Sequence, residues 1–116
     1  MWKLIASLLR PSVPVQDVAQ RIAQGAMLLD VREPAELRGG GPPGAISLPL
    51  SRLRAGGHSA ADDLKLPAGG EYLLICQSGV RSRLAQRILL RDRSRRYLNV
   101  GGGMQAWVKA GLPVRR

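Results

Sequence analysis

The sequence predicts an α/β fold in which a parallel sheet is covered by helices on both faces. Three observations lead there. Four short apolar runs of strand length, in "AMLLDV", "AISLPL", "EYLLIC" and "RYLNV", alternate with segments of helical period. The runs are apolar at consecutive positions instead of alternating with polar residues, so both of their faces are buried, as in parallel sheets. Gly and Pro clusters such as "GGGPPG" and "PAGG" punctuate the connections.

The elements follow in order. "VQDVAQRIAQG" places Val15, Val18, Ala19 and Ile22 on one helical face and stops at Gly25. "AMLLDV" is the first buried strand. "EPAELRGGGPPG" opens with a brief helical turn and then breaks. "AISLPL" is a second buried strand ending near Pro49, followed by a polar stretch with one or two short helices that closes at Gly69-Gly70. "EYLLIC" is the third strand. From Arg81 to about Leu90 the pattern is helical: Leu84, Ala85, Ile88 and Leu89 share one face, and Arg83, Arg87 and Arg91 the opposite, solvated one. "RDRSRR" is a surface turn, "RYLNV" the fourth strand, and "GMQAWVKAG" a closing helix with Met104, Trp107 and Val108 towards the core and Gly111 as its stop.

A chain of 116 residues, 45% of them apolar, fits one domain with one core. With no Phe, two Trp and two Tyr, that core is expected to be aliphatic. The single Cys excludes an intramolecular disulfide, and no Cys/His cluster has zinc spacing. A free thiol suits a reducing, cytoplasmic setting. No apolar run reaches the ~20 residues of a membrane span. In "MWKLIASLLRP" the apolar stretch Leu4 to Leu9 is too short for a signal peptide and Arg10-Pro11 closes it, so residues 1–12 read as an N-terminal arm whose Trp2, Ile5 and Leu9 could dock on the domain or on a second copy. Monomer and homodimer both stay open. The domain proper is expected over residues 13–114, with 115–116 a basic C-terminal tail. The net charge of +10 favours anionic ligands or acidic partners. The basic stretches lack interleaved aromatics, which weighs against nucleic acid as the partner.

The chemistry centres on "LLICQSGVRSRLAQRILL". In sheets of this kind ligands bind beyond the carboxyl ends of the strands, and Cys76 sits at such an end. A lone Cys is more often packing than catalysis, but its context favours function. Gly79 permits a positive φ, the loop can turn successive N–H groups inward as a nest, and the following helix aims its unsatisfied N–H groups and positive dipole end at the same point. Arg81 adds a positive charge. Each favours thiolate over thiol, so the Cys76 pKa is expected below the ordinary ~8.5. His58, the only histidine, lies in a Gly-rich polar stretch and reads as a surface residue, not a general base.

These residues resemble the single-domain rhodaneses, thiosulfate sulfurtransferases. "LLDVREPAEL" is similar to the family's opening motif, with Asp30 and Arg32 in its Asp-Val-Arg; "PGAISLPL" is similar to the second, "YLLICQSGVRSRLAQRIL" to the active-site segment, and "LNVGGGMQAWVKAGLPV" to the closing motif. The pieces run in family order over about residues 13–114. The resemblance implies a rhodanese-like α/β fold with a central parallel sheet of about five strands. It implies that Cys76 takes sulfane sulfur from a small anionic donor, classically thiosulfate, as a persulfide, and passes it to a thiol or cyanide acceptor, with no metal or organic cofactor. The amides of Gln77, Ser78, Gly79, Val80 and Arg81 would hold the outer sulfur. Four residues separate Cys76 and Arg81, where related phosphatases of this fold have five, so the shorter loop favours sulfur over phosphate. One departure is visible: where the family has Gly-His-Ile before its Pro-Gly-Ala, this chain has Gly40, Gly41 and Pro42, and the histidine is absent.

The remaining candidates support the site. Asp30 and Arg32, at a strand end on the sheet edge of Cys76, favour bracing the loop over touching substrate. Arg81 either binds the anionic donor or organises local structure. Ser78 and Ser82 are candidate hydroxyl donors to the sulfur, and Ser82 could equally cap the helix. Two other functions compete: a sulfur-relay module loaded by a partner protein such as a cysteine desulfurase, and a phosphatase or arsenate reductase on the same fold.

Overall fold

The computed structural model describes residues 11–116. The predicted architecture is present. Five parallel strands, β1 (Ser12–Val13), β2 (Met27–Asp30), β3 (Ile46–Ser47), β4 (Glu71–Ile75) and β5 (Arg96–Val100), form one sheet in the order β1-β5-β4-β2-β3. Parallel pairing demands long crossovers. They carry a 3-10 turn at Val15–Asp17 with α1 (Val18–Ala23), then α2 (Pro34–Leu37), α3 (Leu50–Gly56), α4 (Ala60–Asp63) and α5 (Val80–Leu89). The last helix, α6 (Gly103–Lys109), follows β5.

The two faces of the sheet carry two cores. Leu28, Leu73, Ile75, Leu98 and Val100 pack against Val15, Val18, Met104 and Trp107. On the other face Leu29, Leu74, Tyr72 and Tyr97 pack against Leu53, Ala60, Ala85 and Leu89, and Cys76 belongs to this layer. Leu29, Leu74 and Leu89 are fully buried, and burial of each contributes about 1.5–3 kcal/mol. Strand β4 lies in the middle of the sheet, bonded to β2 on one side and β5 on the other. Its carboxyl end is therefore walled by neighbours, and that is where Cys76 emerges.

Several expectations are corrected. Val15 and Val18 are buried, but Ala19 is exposed and Ile22 is 41% exposed: α1 is only six residues long, and Val18 at its start is its one buried residue. "AISLPL" gives only the two-residue edge strand Ile46–Ser47, with Ile46 half-buried and Ser47 exposed; the Leu48 and Leu50 N–H groups still bond the Asp30 and Val31 carbonyls, but at Pro49 the chain turns into α3. Val108 is 59% exposed and faces solvent, while Met104 and Trp107 are core. The core is not purely aliphatic, since Tyr72 and Tyr97 are fully buried with ring centroids 5.7 Å apart. Nor is "RDRSRR" simply solvated. The Arg95 side chain is 6% exposed and bonds Asp92, Asp62 and the Leu66 carbonyl, and Asp92 accepts the Tyr97 hydroxyl at 2.7 Å. The fifth strand, β1, begins at Ser12, at the end of the expected arm; Trp2, Ile5 and Leu9 lie outside the described residues. Among the described residues no helix is long and apolar enough to cross a membrane.

Candidate active site

Strand β4 delivers Cys76 to the sheet edge and α5 starts four residues later. The loop between them is shaped from outside. The Cys76 carbonyl accepts a hydrogen bond from the Met104 N–H at 2.7 Å, and the Gln77 carbonyl one from the Gln105 N–H at 2.9 Å. Both carbonyls thus point at the first turn of α6. In a trans peptide the C=O and the following N–H point in opposite directions, so the Gln77 and Ser78 N–H groups are turned the other way. The approach of the two segments requires glycine at 103: a Cβ there would collide with the Cys76 carbonyl oxygen and come within 2.9 Å of the Gln77 carbonyl group. Gly79, at φ +100°, closes the loop in the left-handed conformation and caps α5.

The Cys76 Sγ lies inside this turn. The Gly79 N–H donates to it at 3.0 Å, and the Ser82 hydroxyl oxygen is 3.4 Å away. Burial pushes the thiol pKa up; hydrogen bonds from the Ser82 hydroxyl and from the N–H groups of Ser82, Gly79 and Ser78 outweigh it, and the net shift is downward. A thiol with a lowered pKa gives up its proton more readily than an ordinary cysteine. Ser82 is fully buried and has one hydrogen for three acceptors: the Cys76 sulfur, the Gly79 carbonyl at 3.1 Å and Asn99 Oδ1 at 2.5 Å.

Each predicted residue can now be placed. The side chains of Gln77, Ser78 and Val80 are exposed, Val80 by 65%, and of the three Ser78 meets the thiol through its N–H. Ser82 sits beside the sulfur. Arg81 does not reach over it: its guanidinium forms a fork-to-fork pair with Glu36 of α2, Nη1–Oε1 2.5 Å and Nη2–Oε2 2.7 Å. This pair holds the Glu36 carboxyl down at about pKa 2. Asp30 and Arg32 lie at the same sheet edge as Cys76 but on the other face, because Asp30 pairs in register with Ile75, whose side chain belongs to the opposite core layer. There Arg32 Nη2 meets Asp30 Oδ2 at 2.8 Å and the Gly40 carbonyl at 2.9 Å. A side chain at Gly41 would bring its Cβ within 2.9 Å of Arg32 Nη2, and the Gly41 backbone instead bonds Arg115 in both directions. The histidine missing from this position is thus replaced by a backbone bridge. His58 is exposed and lines a groove with Arg54, Arg87 and Arg91 along the later turns of α5, away from the thiol at its start.

Two residues escaped the sequence reading: Glu36, which neutralises Arg81, and Asn99, buried behind Ser82. Asn99 had a signal, since it is the one polar residue in the otherwise apolar interior of "RYLNV". Glu36 had none beyond its place in a helical turn.

Residues 14–110 match the family model described as "Rhodanese-like domain". A relative from Allochromatium vinosum named "Sulfurtransferase" is 32% identical over 85% of this chain and 89% of its own length. "Thiosulfate sulfurtransferase 16, chloroplastic" from Arabidopsis thaliana is 33% identical over 90% of this chain and 92% of its own. The crystal structure of a rhodanese-related protein from Thermoplasma volcanium superposes with a TM-score of 0.72 at 33% identity, covering 90% of this chain and 96% of that one. Other matched chains are much longer, and this chain spans 17% of one of them. A family match across most of the sequence, joined to such identity with relatives of nearly equal length, makes this chain a member of the rhodanese-like domain family.

Proposed function

We propose that the protein is a sulfurtransferase that carries sulfane sulfur on Cys76. The observation that carries the reading is the Cys76 sulfur, fully buried yet met by the Gly79 N–H at 3.0 Å, with its pKa lowered. A buried thiol kept only for packing gains nothing from such donors. The Cys76 thiolate attacks the outer sulfur of the donor. The Sγ–S bond forms, the donor's S–S bond breaks, and the electron pair leaves with sulfite if the donor is thiosulfate or with a thiolate if it is a persulfide. The inward-turned N–H groups of the loop then hold the bound outer sulfur. A thiol or cyanide attacks that sulfur, and Cys76 leaves as thiolate, completing the cycle. Asp30 and Arg32 pair on the opposite face and hold the Gly40 carbonyl, outside the Cys76 loop.

The test is direct. The protein is incubated with thiosulfate or an alkyl persulfide, freed of excess donor and weighed by mass spectrometry. A gain of one sulfur atom that disappears in Cys76→Ala and is discharged by cyanide is expected. Absence of the gain with both donors, or turnover of a phosphate ester by Cys76, refutes the reading.

A further inference from the structure

We propose that Glu36 sets the donor class at Cys76, disfavouring the thiosulfate dianion and favouring alkyl persulfides, whose transferable sulfur carries at most one negative charge. The proposal rests on the sulfur-transfer reading above.

Arg81 is the cation that the loop sequence brings to the thiol, and Glu36 occupies it. The two prongs of the guanidinium meet the two carboxylate oxygens, which is the geometry an incoming oxyanion would need for itself. Glu36 is held in place for this contact. It is the third residue of α2, and its Oε1 also accepts the Glu33 N–H at 3.1 Å in a capping box. Glu33 adds a second carboxylate to the segment, fixed by the Ser51 N–H at 3.2 Å and hydroxyl at 2.6 Å. Arg32 is committed to Asp30 and the Gly40 carbonyl on the other face of the sheet. Asp30, Glu33 and Glu36 thus stand on this segment with Arg32 and Arg38, and Arg81 comes to it from α5, so its charges cancel.

This local neutrality contrasts with the chain's net charge of +10. Arginines line a groove along the later turns of α5, with Arg54, Arg87 and Arg91 beside His58, while the start of that helix carries the neutralised pair. The Arg81 and Glu36 side chains are 32% and 35% exposed, so the pair is open to solvent. Val80, next to Arg81 at the start of α5, is 65% exposed. An apolar surface there contacts the carbon chain of an alkyl persulfide, and thiosulfate has no such group.

The step balances without a further reactant. The Cys76 thiolate attacks the outer sulfur of RS–SH, the Sγ–S bond forms, and the RS–S bond breaks. RS⁻ departs with the electron pair, and the proton stays on the transferred sulfur.

Initial rates are compared for thiosulfate and for N-acetylcysteamine persulfide, with the wild type, Glu36→Gln and Glu36→Asp. Gln retains the capping-box bond and frees Arg81; Asp retains the charge. Expected is a rise in thiosulfate kcat/KM of about tenfold in Glu36→Gln at low salt, shrinking as salt screens the released charge. The persulfide kcat/KM should move about threefold or less, since that donor carries half the charge or none. Glu36→Asp should keep the wild-type donor ratio. An equal change for both donors, or an unmoved thiosulfate value, overturns the donor-class proposal while leaving sulfur transfer standing. Failure of both donors to load Cys76 by mass takes down sulfur transfer itself and this proposal with it.

Discussion

Ser82→Ala tests how the thiolate is held. The hydroxyl lies 3.4 Å from the Cys76 sulfur, longer than the 3.0 Å Gly79 contact, and its single hydrogen is shared with the Gly79 carbonyl and Asn99. A hydrogen bond to a charged group contributes about 1.5–3 kcal/mol, and the long, shared contact belongs at the low end. About 1.4 kcal/mol corresponds to one pH unit. The N–H groups of Gly79, Ser82 and Ser78 remain, so the variant keeps part of its depression while burial pushes back up. The pH midpoint for alkylation by iodoacetamide should rise by about one unit, and the rate well below the midpoint should fall about tenfold. Stability follows the same shift. The folded pKa is depressed, so the thiolate's contribution is complete above the unfolded value of ~8.5 and is lost as pH falls through the folded one. The rise in urea midpoint across that window should be smaller in Ser82→Ala. A midpoint that stays put or moves down would refute the assignment of Ser82 as a thiolate donor.

Asn99→Leu removes the competing acceptor Oδ1 and leaves the Ser82 hydrogen shared between the sulfur and the Gly79 carbonyl, so the alkylation midpoint should fall, opposite in sign to Ser82→Ala. Gly103→Ala places a Cβ against the Cys76 carbonyl at a residue with φ +55°; the strained backbone and the disturbed Met104–Cys76 bond should together cost about 3 kcal/mol or more, read by thermal melting. Asp30→Leu leaves the Arg32 side chain, 5% exposed, without its counter-charge and should cost about 3–5 kcal/mol in urea titration, while Cys76 in the protein that remains folded still alkylates, because the pair lies on the other face of the sheet.

What the sequence disclosed was what is local. Strands such as "EYLLIC" declare themselves by consecutive apolar residues, and Cys76 by its place between a strand and a helix separated by a Gly loop. Val15 and Val18 were legible as core, but Ala19 and Ile22 were not excluded from it, since apolar spacing does not tell how far along a helix contact with the core extends. The partnership of Arg81 with Glu36 spans 45 positions, and that of Ser82 with Asn99 spans 17. Such contacts are set by the strand order, in which β4 lies between β2 and β5, and by the paths of the loops. Periodicity carries no information on either. Asp30 and Arg32 were placed correctly at the sheet edge, but the face they occupy depends on the register of Asp30 with Ile75.

The bonds from Met104 and Gln105 to the Cys76 and Gln77 carbonyls have a consequence for biosynthesis. A ribosome that has released "CQSGVRS" has made every residue of the loop and none of the groups that turn its carbonyls aside. Until the segment around residues 103–105 emerges and docks, the thiol belongs to an ordinary flexible chain. The lowered pKa of the thiol therefore arises only once this segment has docked, and an unfinished polypeptide presents a cysteine of ordinary acidity.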